Sequence, residues 1–455
     1  MIMGIFKAYD IRGRYPDDLD EEQAFRIGFF FVRLLRAQDI VVGRDMRLSS
    51  PALGNALISG ARAAGAHVTD IGMVTSPLLY YAVIETGAAG GAMVTASHLP
   101  ADMNGFKLCR EQAIPLSREH GLAELEALVG EAPVDAIPGG GGEYETADLL
   151  GPYIERLSGY VRKPAPLRMV IDAGNGAAGP EIFRLLEKVP AWQAVCMHME
   201  PDGSFPHHVA NPLVAENIRD LREKVRSERA DIGIAFDGDA DRCGFVDETG
   251  RKVNEDLVTA LIAEVYLARE PGAKIIYDLR SSRAVPETIE SLGGKPIRSR
   301  VGHSFIKERM RKEGAVFAGE LSGHYYYRDT GYTDNSLFTM IQMLNLLASG
   351  VRTLSERMES LRRYSATGEI NMHSGRPADV FSALEQAFLN RKRDYLDGLT
   401  VCSDRWWFNL RASNTEPVIR LNLEASDPEL MKEKKKEIIG LILRADPAAA
   451  VITPG

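Results

Sequence analysis

Hydrophobic residues along the chain fall into two alternating kinds of segment. Residues 21–37, EEQAFRIGFFFVRLLRA, are apolar enough to predict a well-buried helix, and residues 39–45, DIVVGRD, are a short β-branched run that ends in glycine and charge. The same pairing recurs at 52–66 with 67–74, and again through residues 167–238. Helices that alternate with short strands predict an α/β fold built on mixed or parallel sheets.

Clusters of turn residues divide this alternation into four parts. Glycines 139–142 precede a new helical pattern, and residues 247–253, DETGRKV, separate an acidic loop from the next helix. After Tyr364 the chain changes to an extended segment, one helix, short strands and a final helix, which is typical of an α+β domain. We therefore predict four domains, three of α/β type and a smaller α+β domain, at residues 1–143, 144–248, 249–366 and 367–455.

A faint internal repeat relates the first three domains. Residues 91–108, 231–247 and 314–329 each contain an apolar strand, a small polar loop and a second hydrophobic stretch. Functional residues of α/β folds gather on loops at the ends of strands. The three loops are therefore predicted to be equivalent parts of similar domains.

Composition narrows the class of protein. The 455 residues are 45% hydrophobic and 26% charged, as in a soluble globular protein, and the net charge of −9 argues against binding nucleic acid over a broad surface. No apolar run approaches the roughly 20 residues needed to cross a bilayer, and no leader peptide is apparent, so we expect a cytoplasmic protein without a membrane partner. The widely spaced cysteines fit reduced thiols. They are Cys109, Cys196, Cys243 and Cys402.

The acidic loop DGDADR offers three carboxylates at alternate positions. Asp237, Asp239 and Asp241 follow the apolar run IGIAF, and without a cation three carboxylates at this spacing would repel one another. Hard oxygen donors of this kind predict a Mg²⁺ site. The loop is not an EF-hand, because the sixth position is Arg242 rather than glycine.

Two other interpretations compete for the central loops. A strand followed by Asp-x-Asp is also how haloacid-dehalogenase-type phosphatases begin, with Asp237 as nucleophile, although Ala240 stands where those enzymes usually carry Thr or Val. Residues 174–179, GNGAAG, formally match the dinucleotide fingerprint and would indicate an NAD-linked oxidoreductase. A tight turn from strand to helix would also select the glycines of this fingerprint, and Ala240 departs from the phosphatase pattern. We therefore rank both interpretations below metal ligation.

Two further loops suit recognition of a phosphorylated sugar. In RASNTEPVIR, residues 411–420, two arginines flank three short polar side chains, which favours a phosphate site. In GELSGH, residues 319–324, the polar side chains suit hydrogen bonds to neighbouring sugar hydroxyls. The following aromatic run, Tyr325 to Tyr327, predicts a buried strand rather than a stacking platform.

The loop TASHLPADMNGFK contains Ser97 beside His98. The loop is not a G-x-S-x-G nucleophile elbow, and no clear His and Asp pair follows in hydrolase order, which argues against a serine hydrolase. By local evidence alone, a serine such as Ser97 is more often a turn residue. A phosphate on Ser97 would need cationic partners, and Lys107, Arg12 and Arg242 are available.

Together these loops resemble the α-D-phosphohexomutase family, most closely its phosphomannomutase/phosphoglucomutase branch. The resemblance covers essentially the whole chain and rests on AYDIRG, TASHLPADMNGFK, DGDADR, GELSGH and RASNTEPVIR in that order. It implies a heart-shaped molecule of four domains around a central cleft, and it implies interconversion of hexose 1-phosphate and hexose 6-phosphate. A phosphate on Ser97 would be passed to the sugar through a bound 1,6-bisphosphate, which also serves as activator.

The resemblance also implies a role for each matching residue. One Mg²⁺ would be held by phosphorylated Ser97 and by Asp237, Asp239 and Asp241. The remaining catalytic residues would be His98, Lys107, Arg12, Arg242 and His303. The substrate would be bound by Tyr9, Arg280, Glu320, Ser322, His324, Arg411, Ser413, Asn414, Thr415 and Arg420.

Several finer points stay open at this level. Lys107 or His303 would accept the proton, and Arg280 stands where some relatives carry Lys. Leu321 follows Glu320 where the phosphoglucosamine branch usually shows Gln, which favours mannose or glucose phosphates over glucosamine phosphate. A monomer or weak homodimer is expected.

Overall fold

Four β-sheets, one after another along the chain, make up the computed structural model. It describes residues 4–131, 134, 141–162, 164–348, 350, 352–412 and 418–452. Among them, no helix is both long enough and apolar enough to cross a bilayer. All four cysteines are free thiols.

The first two sheets lie within residues 11–253. The first region contains β1 (Ile11–Arg14), α1 (Glu21–Leu35), β2 (Asp39–Arg44), α2 (Ser50–Ala63), β3 (His67–Met73), α3 (Ser76–Thr86), β4 (Gly90–Val94), β5 (Met103–Arg110), α4 (Ala123–Glu131) and β6 (Tyr144–Thr146). The second contains α5 (Leu150–Ser158), β7 (Arg168–Asp172), α6 (Ala178–Lys188), β8 (Gln193–Met197), α7 (Arg219–Glu228), β9 (Ile232–Phe236), β10 (Cys243–Asp247) and β11 (Lys252–Val253). The strand orders are β1-β5-β4-β2-β3-β6 and β11-β10-β9-β7-β8.

The last two sheets lie within residues 274–451. The third region contains α8 (Glu255–Leu267), β12 (Lys274–Asp278), α9 (Ala284–Ser291), β13 (Lys295–Ser299), α10 (His303–Glu313), β14 (Phe317–Gly319), β15 (Tyr325–Tyr327), β16 (Thr333–Asp334), α11 (Ser336–Ala348) and α12 (Leu354–Leu361). The fourth contains β17 (Ser365–His373), α13 (Pro377–Ala387), β18 (Lys392–Asp394), β19 (Leu399–Cys402), β20 (Trp406–Ala412), β21 (Val418–Ala425), α14 (Pro428–Ala445) and β22 (Ala450–Val451). The strand orders are β13-β12-β14-β15-β16 and β18-β19-β20-β21-β17-β22.

The first three sheets share one topology. In each, a central strand (β2, β7 or β12) pairs in parallel with two neighbours, and one neighbour turns back into an antiparallel hairpin. The hairpins are β4–β5, β9–β10 and β14–β15, and their turns are the three loops of the internal repeat. The fold therefore contains three equivalent α/β units and a fourth, antiparallel sheet with helices.

The predicted elements are present, with ends that local chemistry explains. The helix predicted at 21–37 is α1, which begins at a capping box between Asp20 and Gln23 and ends where Arg36 adopts a left-handed φ of 51°. Two short edge strands lie just beyond the expected domain limits. Strand β6 pairs with β3 of the first sheet, and β11 pairs with β10 of the second.

Packing holds the first three units together. One hydrophobic cluster includes Val83 of α3, Ile234 of β9 and Leu344 of α11, so the core is continuous across them. The fourth unit has its own core. Polar contacts also join it to the third unit, including Arg298 Nη1 to Asp394 Oδ2 at 2.7 Å.

Candidate active site

The turns of the three hairpins meet at one place. Each carries a residue with a left-handed backbone: Ser97 at φ 52°, Ala240 at 55° and Gly323 at 80°. Ser97 Oγ donates a hydrogen bond to Asp237 Oδ2 at 2.6 Å. A Cβ on Gly238 would lie 2.5 Å from the Ser97 carbonyl oxygen, so only glycine permits this approach. The fold thus brings the predicted serine loop against the predicted metal loop.

The three aspartates of the second loop form a compact buried set. One carboxylate oxygen from each of Asp237, Asp239 and Asp241 lies within 4.8 Å of the other two. Among the described residues, Asp239 Oδ1 and Asp241 Oδ1 are buried without a hydrogen-bond partner. Burial and the two neighbouring carboxylates raise the pKa of Asp237 well above its usual range. Buried, mutually repelling oxygens of this kind fit a hard divalent cation.

Cationic and imidazole groups surround Ser97. Lys107 Nζ lies 2.5 Å from Asp239 Oδ2 and also contacts Asp241. Arg242 Nε lies 4.0 Å from Asp237 Oδ2. His98 Nδ1 lies 3.2 Å from Ser97 Oγ, and burial, Arg242 and Arg12 lower the pKa of His98 to about 2. Two mostly buried cations and an imidazole therefore lie near Ser97, where they could contact an anionic group on its hydroxyl.

Arg47 is a buried residue that sequence reasoning did not single out. It follows β2 and its Nε lies 3.2 Å from Asp45 Oδ2, with both side chains fully buried. Its guanidinium donates to four carbonyl oxygens of the serine loop, at 2.6 to 2.9 Å. They belong to Ser97, Leu99, Pro100 and Met103. Arg47 thus fixes the backbone conformation of the loop.

Replacing Arg47 with methionine is expected to destabilise the first unit by about 3–5 kcal/mol, because it leaves Asp45 as an unpaired buried charge. Residues 95–103 should also exchange their amide hydrogens faster. Denaturation midpoints and hydrogen exchange measure the two effects. The matched control is Arg14→Met, since the Arg14 ion pair with Asp102 is more than half exposed and should contribute little. Equal changes in the two variants would contradict the role of Arg47.

The loop between β14 and β15 is held to the metal loop by His324. His324 Nε2 lies 3.4 Å from Asp241 Oδ2, and His324 Nδ1 lies 3.4 Å from Glu320 Oε2. Burial alone would lower the pKa of His324, but the Asp241 carboxylate raises it to about 9. The imidazole links the metal loop to the predicted sugar loop. Ser322 Oγ lies 2.8 Å from His324 Nδ1.

Glu320 is positioned by three groups. Its Oε2 accepts from the Tyr326 hydroxyl at 2.8 Å, and its Oε1 accepts from the backbone N–H of Gly302 at 3.3 Å. Arg280 Nη2 lies 3.5 Å from Glu320 Oε1. The Tyr325–Tyr327 strand is therefore buried as predicted, and one of its hydroxyls orients this carboxylate.

Tyr9 reaches from the first unit to the third. Its ring contacts His303 edge to face, with ring centroids 5.2 Å apart, and its hydroxyl donates to the Val301 carbonyl at 3.4 Å. Burial and the Glu320 carboxylate raise the pKa of Tyr9 to about 12. Tyr9 and His303 therefore lie near the sugar loop, with the His303 ring centroid 6.5 Å from that of His324.

Three arginines converge on Glu369 of β17, another residue that was not anticipated. Arg411 Nη2 lies 2.9 Å from Glu369 Oε2, Arg280 Nη1 lies 3.6 Å from it, and Arg420 Nη1 lies 3.9 Å from Oε1. This cluster joins the fourth unit to the sugar loop through Arg280. Ser413, Asn414 and Thr415 lie outside the described residues.

Comparison with known proteins identifies the family. The phosphoglucomutase/phosphomannomutase alpha/beta/alpha domains I, II and III match residues 3–133, 151–250 and 254–364, and the C-terminal domain matches 375–441. A phosphomannomutase of Escherichia coli K12 is 41% identical over 451 residues, covering 96% of this chain and 98% of that protein. The chain belongs to the phosphoglucomutase/phosphomannomutase family.

Other relatives agree with this assignment. The phosphohexose mutases of Xanthomonas campestris are 40% identical over 97% of this chain and 100% of theirs. A solved phosphoglucomutase/phosphomannomutase family protein of Burkholderia thailandensis superposes with a TM-score of 0.90 at 34% identity, covering 98% of both chains. The predicted family, α/β fold class and four-unit architecture are confirmed.

The geometry also bears on the two competing interpretations. In this phosphoglucomutase/phosphomannomutase family member, the GNGAAG turn supports the metal loop, since the Ala177 N–H donates to the Gly238 carbonyl at 2.9 Å. Asp172, at the start of that turn, is engaged by two histidines. Asp237 is fully buried and accepts from Ser97. Neither a dinucleotide site nor an aspartyl phosphatase is favoured.

Proposed function

We propose that this enzyme interconverts the 1-phosphate and 6-phosphate of mannose, glucose or both, with Ser97 as the phosphoryl carrier. The observation that supports it most is the position of Ser97. Its hydroxyl touches the aspartate set, and Lys107 and Arg242 lie around it. The Ser97 hydroxyl is therefore proposed to carry the phosphoryl group beside these side chains.

The first transfer would run from Ser97 to the substrate. The oxygen of the free sugar hydroxyl bonds to phosphorus while the bond from phosphorus to Ser97 Oγ breaks. The hydroxyl proton passes to a base, and Ser97 Oγ takes up a proton. The resulting hexose 1,6-bisphosphate turns over in the cleft, and the same steps in reverse return its other phosphate to Ser97.

We propose that Mg²⁺ is held by phosphorylated Ser97 and by Asp237, Asp239 and Asp241. Among the described residues, one buried carboxylate oxygen of Asp239 and one of Asp241 have no hydrogen-bond partner, which favours a cation between them. When bound, Mg²⁺ neutralises negative charge on the transferring phosphoryl group. Arg12 of β1, whose Nε pairs with Asp10 at 2.7 Å, and Arg242 would add fixed positive charge at the same place. Glu320 and Ser322 would bind the sugar hydroxyls.

The arginine cluster around Glu369 is proposed to bind the phosphate that does not react. Guanidinium groups of Arg280, Arg411 and Arg420 already converge on one carboxylate, so they can converge on a phosphate. Backbone and side-chain groups of Ser413, Asn414 and Thr415 would complete the site, as the family resemblance implies. Because the sugar turns between transfers, the same cluster would bind either phosphate.

His303 is proposed as the proton acceptor in preference to Lys107. Lys107 contacts two carboxylates, which hold it as a cation. His303 begins α10 beside Tyr9, and burial, reinforced by Lys307, lowers the pKa of its imidazole well below 6.5. A neutral imidazole can accept a proton.

Replacing His303 with asparagine is expected to lower kcat by roughly 10²- to 10⁴-fold with a smaller effect on KM. Since the base acts unprotonated and its pKa lies below the ordinary value, the wild-type rate should persist as pH falls through 6.5. Rates of both proteins across pH 5 to 9 test this, with His120→Asn as control because His120 bonds only Ser117 in a surface turn. A fall in the wild-type rate near pH 6.5 that is absent from the His303→Asn variant would contradict this prediction.

The function itself is tested by a coupled assay of mannose 1-phosphate, glucose 1-phosphate and glucosamine 1-phosphate, each with Mg²⁺ and catalytic hexose 1,6-bisphosphate. We expect turnover of mannose 1-phosphate, glucose 1-phosphate or both. Turnover of the glucosamine compound alone would indicate a phosphoglucosamine mutase. Release of inorganic phosphate without isomerisation would support a phosphatase, and no turnover of any substrate would overturn the proposal.

A further inference from the structure

A second set of ligand-type side chains lies beside the GNGAAG turn, away from the aspartate set. Asp172 ends β7, His198 follows β8, and His208 lies in the long segment before α7. His198 Nδ1 lies 3.0 Å from Asp172 Oδ1, and His208 Nε2 lies 3.0 Å from Asp172 Oδ2. One ligand atom from each lies within 4.8 Å of the other two. Three elements of the second unit thus bring two imidazoles to one carboxylate.

The hydrogen bonds around His208 define its tautomer. Its Nδ1 lies 3.0 Å from the carbonyl oxygen of Val209, and a carbonyl can only accept, so Nδ1 carries a proton. In a neutral ring, Nε2 then has a lone pair, and this lone pair points at Asp172 Oδ2. Two lone pairs at this separation repel, so a cation or a second proton must lie between them. A carbonyl that orients a histidine in this way is the usual support of a metal ligand.

Asp172 is also oriented for ligation. Its Oδ1 accepts from the backbone N–H of Gly174 at 2.8 Å, which fixes the carboxylate plane, and the residue is 1% exposed. The two imidazoles are less enclosed, with side chains 14% and 16% exposed, so an ion and a water molecule can reach them. His207 stacks on His198 with ring centroids 4.0 Å apart and holds it in place.

From this geometry we propose that Asp172, His198 and His208 bind one divalent ion of the zinc class. Two nitrogens and one carboxylate, with solvent as the fourth ligand, match the tetrahedral preference of Zn²⁺. Ligand atoms bound to one Zn²⁺ are separated by roughly 3.3 Å. One ligand atom from each of the three side chains already lies within 4.8 Å of the other two, so these atoms have to move closer together to bind one ion. Imidazole nitrogens favour Zn²⁺ over Mg²⁺, which distinguishes this site from the all-oxygen aspartate set.

The ion would have a structural role. The turn that begins after Asp172 donates from Ala177 to Gly238, and the segment that carries His208 also carries Phe205, which packs 5.2 Å from the Arg47 guanidinium. Binding would therefore tie together two segments that support the metal loop and the serine loop. This role does not depend on the sugar that the enzyme uses.

The test is a Zn²⁺ titration of the full chain after treatment with a chelator, measured by competition with a chromophoric chelator. Excess Mg²⁺ is present to fill the site proposed at the aspartate set. We expect one Zn²⁺ per chain, and at least tenfold weaker binding in His198→Ala and in His208→Gln. The glutamine can still donate to Asp172, so that variant should stay folded by circular dichroism. Asp239→Asn and the remote control His120→Asn should bind as tightly as the wild type.

Substitution with Co²⁺ gives an independent readout, because a tetrahedral site with nitrogen ligands absorbs visible light. We expect that absorption in the wild type and its loss in His208→Gln. Absence of Zn²⁺ binding in the wild type would overturn the proposal and leave a proton between His208 and Asp172. Binding that Asp239→Asn abolishes and the histidine variants retain would also overturn it, by placing the ion at the aspartate set.

Discussion

Replacing Ser97 with alanine is expected to lower kcat by about 10³-fold or more, because the substitution removes the only atom of this residue that can carry a phosphoryl group. Folding should survive. The Arg47 guanidinium bonds the Ser97 carbonyl rather than its side chain, and alanine adopts the same left-handed φ at no greater cost than serine. The coupled mutase assay measures the rate, and circular dichroism and denaturation midpoints confirm the fold.

The matched control is Ser59→Ala on the exposed face of α2, where the hydroxyl bonds only a backbone carbonyl of its own helix. Its rate should equal that of the wild type. Phosphopeptide mapping of the wild type should find an acid-stable phosphate on Ser97. A variant rate near normal, or a hydroxylamine-sensitive phosphate on Asp237, would show that the carrier has been misassigned.

Replacing Asp237 with asparagine is expected to change activity and stability in opposite directions. Turnover in Mg²⁺ should fall by about 10²-fold or more, because the substitution weakens one of the three proposed aspartate ligands of the ion. Without divalent cations the variant should be at least as stable as the wild type. Asp237 is fully buried beside Asp239 and Asp241, each of which has a buried carboxylate oxygen without a hydrogen-bond partner among the described residues. A neutral side chain at position 237 should therefore reduce the repulsion among the three carboxylates.

Calorimetric melting with and without Mg²⁺ measures this contrast. Mg²⁺ should raise the melting temperature of the wild type and hardly change that of Asp237→Asn, since a ligand stabilises only the state that binds it. Chelation should abolish wild-type turnover, and added Mg²⁺ should restore it. Asp220→Asn, an exposed position on α7, is the control and should behave as the wild type. A strongly destabilised variant without metal would mean that Asp237 is primarily structural.

The sequence predicted the candidate site best where neighbouring residues share both a spacing and a chemistry. Alternate aspartates after a buried strand predict converging oxygens, and the structure places them within 4.8 Å. The small residues around Ser97 fit either a simple turn or a phosphoryl carrier. The metal, sugar and phosphate loops elsewhere in the chain favoured the phosphoryl carrier. Family, fold and reaction could therefore be predicted, whereas the assignment of individual site residues stays a prediction.

Residues whose partners are distant in sequence were not predicted. Arg47 bonds carbonyls 50 or more positions away, which no local pattern reveals. Glu369 is a single carboxylate in an unremarkable strand, and its three arginine partners lie after β12, on β20 and on β21. The pairing of β6 and β11 with their sheets likewise depends on long-range hydrogen bonds.

Glu369 has a consequence for the speed of the catalytic cycle. Because this single carboxylate already pairs with three guanidinium groups, a phosphate bound at the proposed site would compete with it for the arginines. Such competition would weaken the binding of phosphate, and Glu369 would pair with the arginines again when the phosphate leaves. The bisphosphate intermediate would have to dissociate from this cluster, rotate and bind again. A modest affinity of the cluster for phosphate would therefore favour rapid turnover.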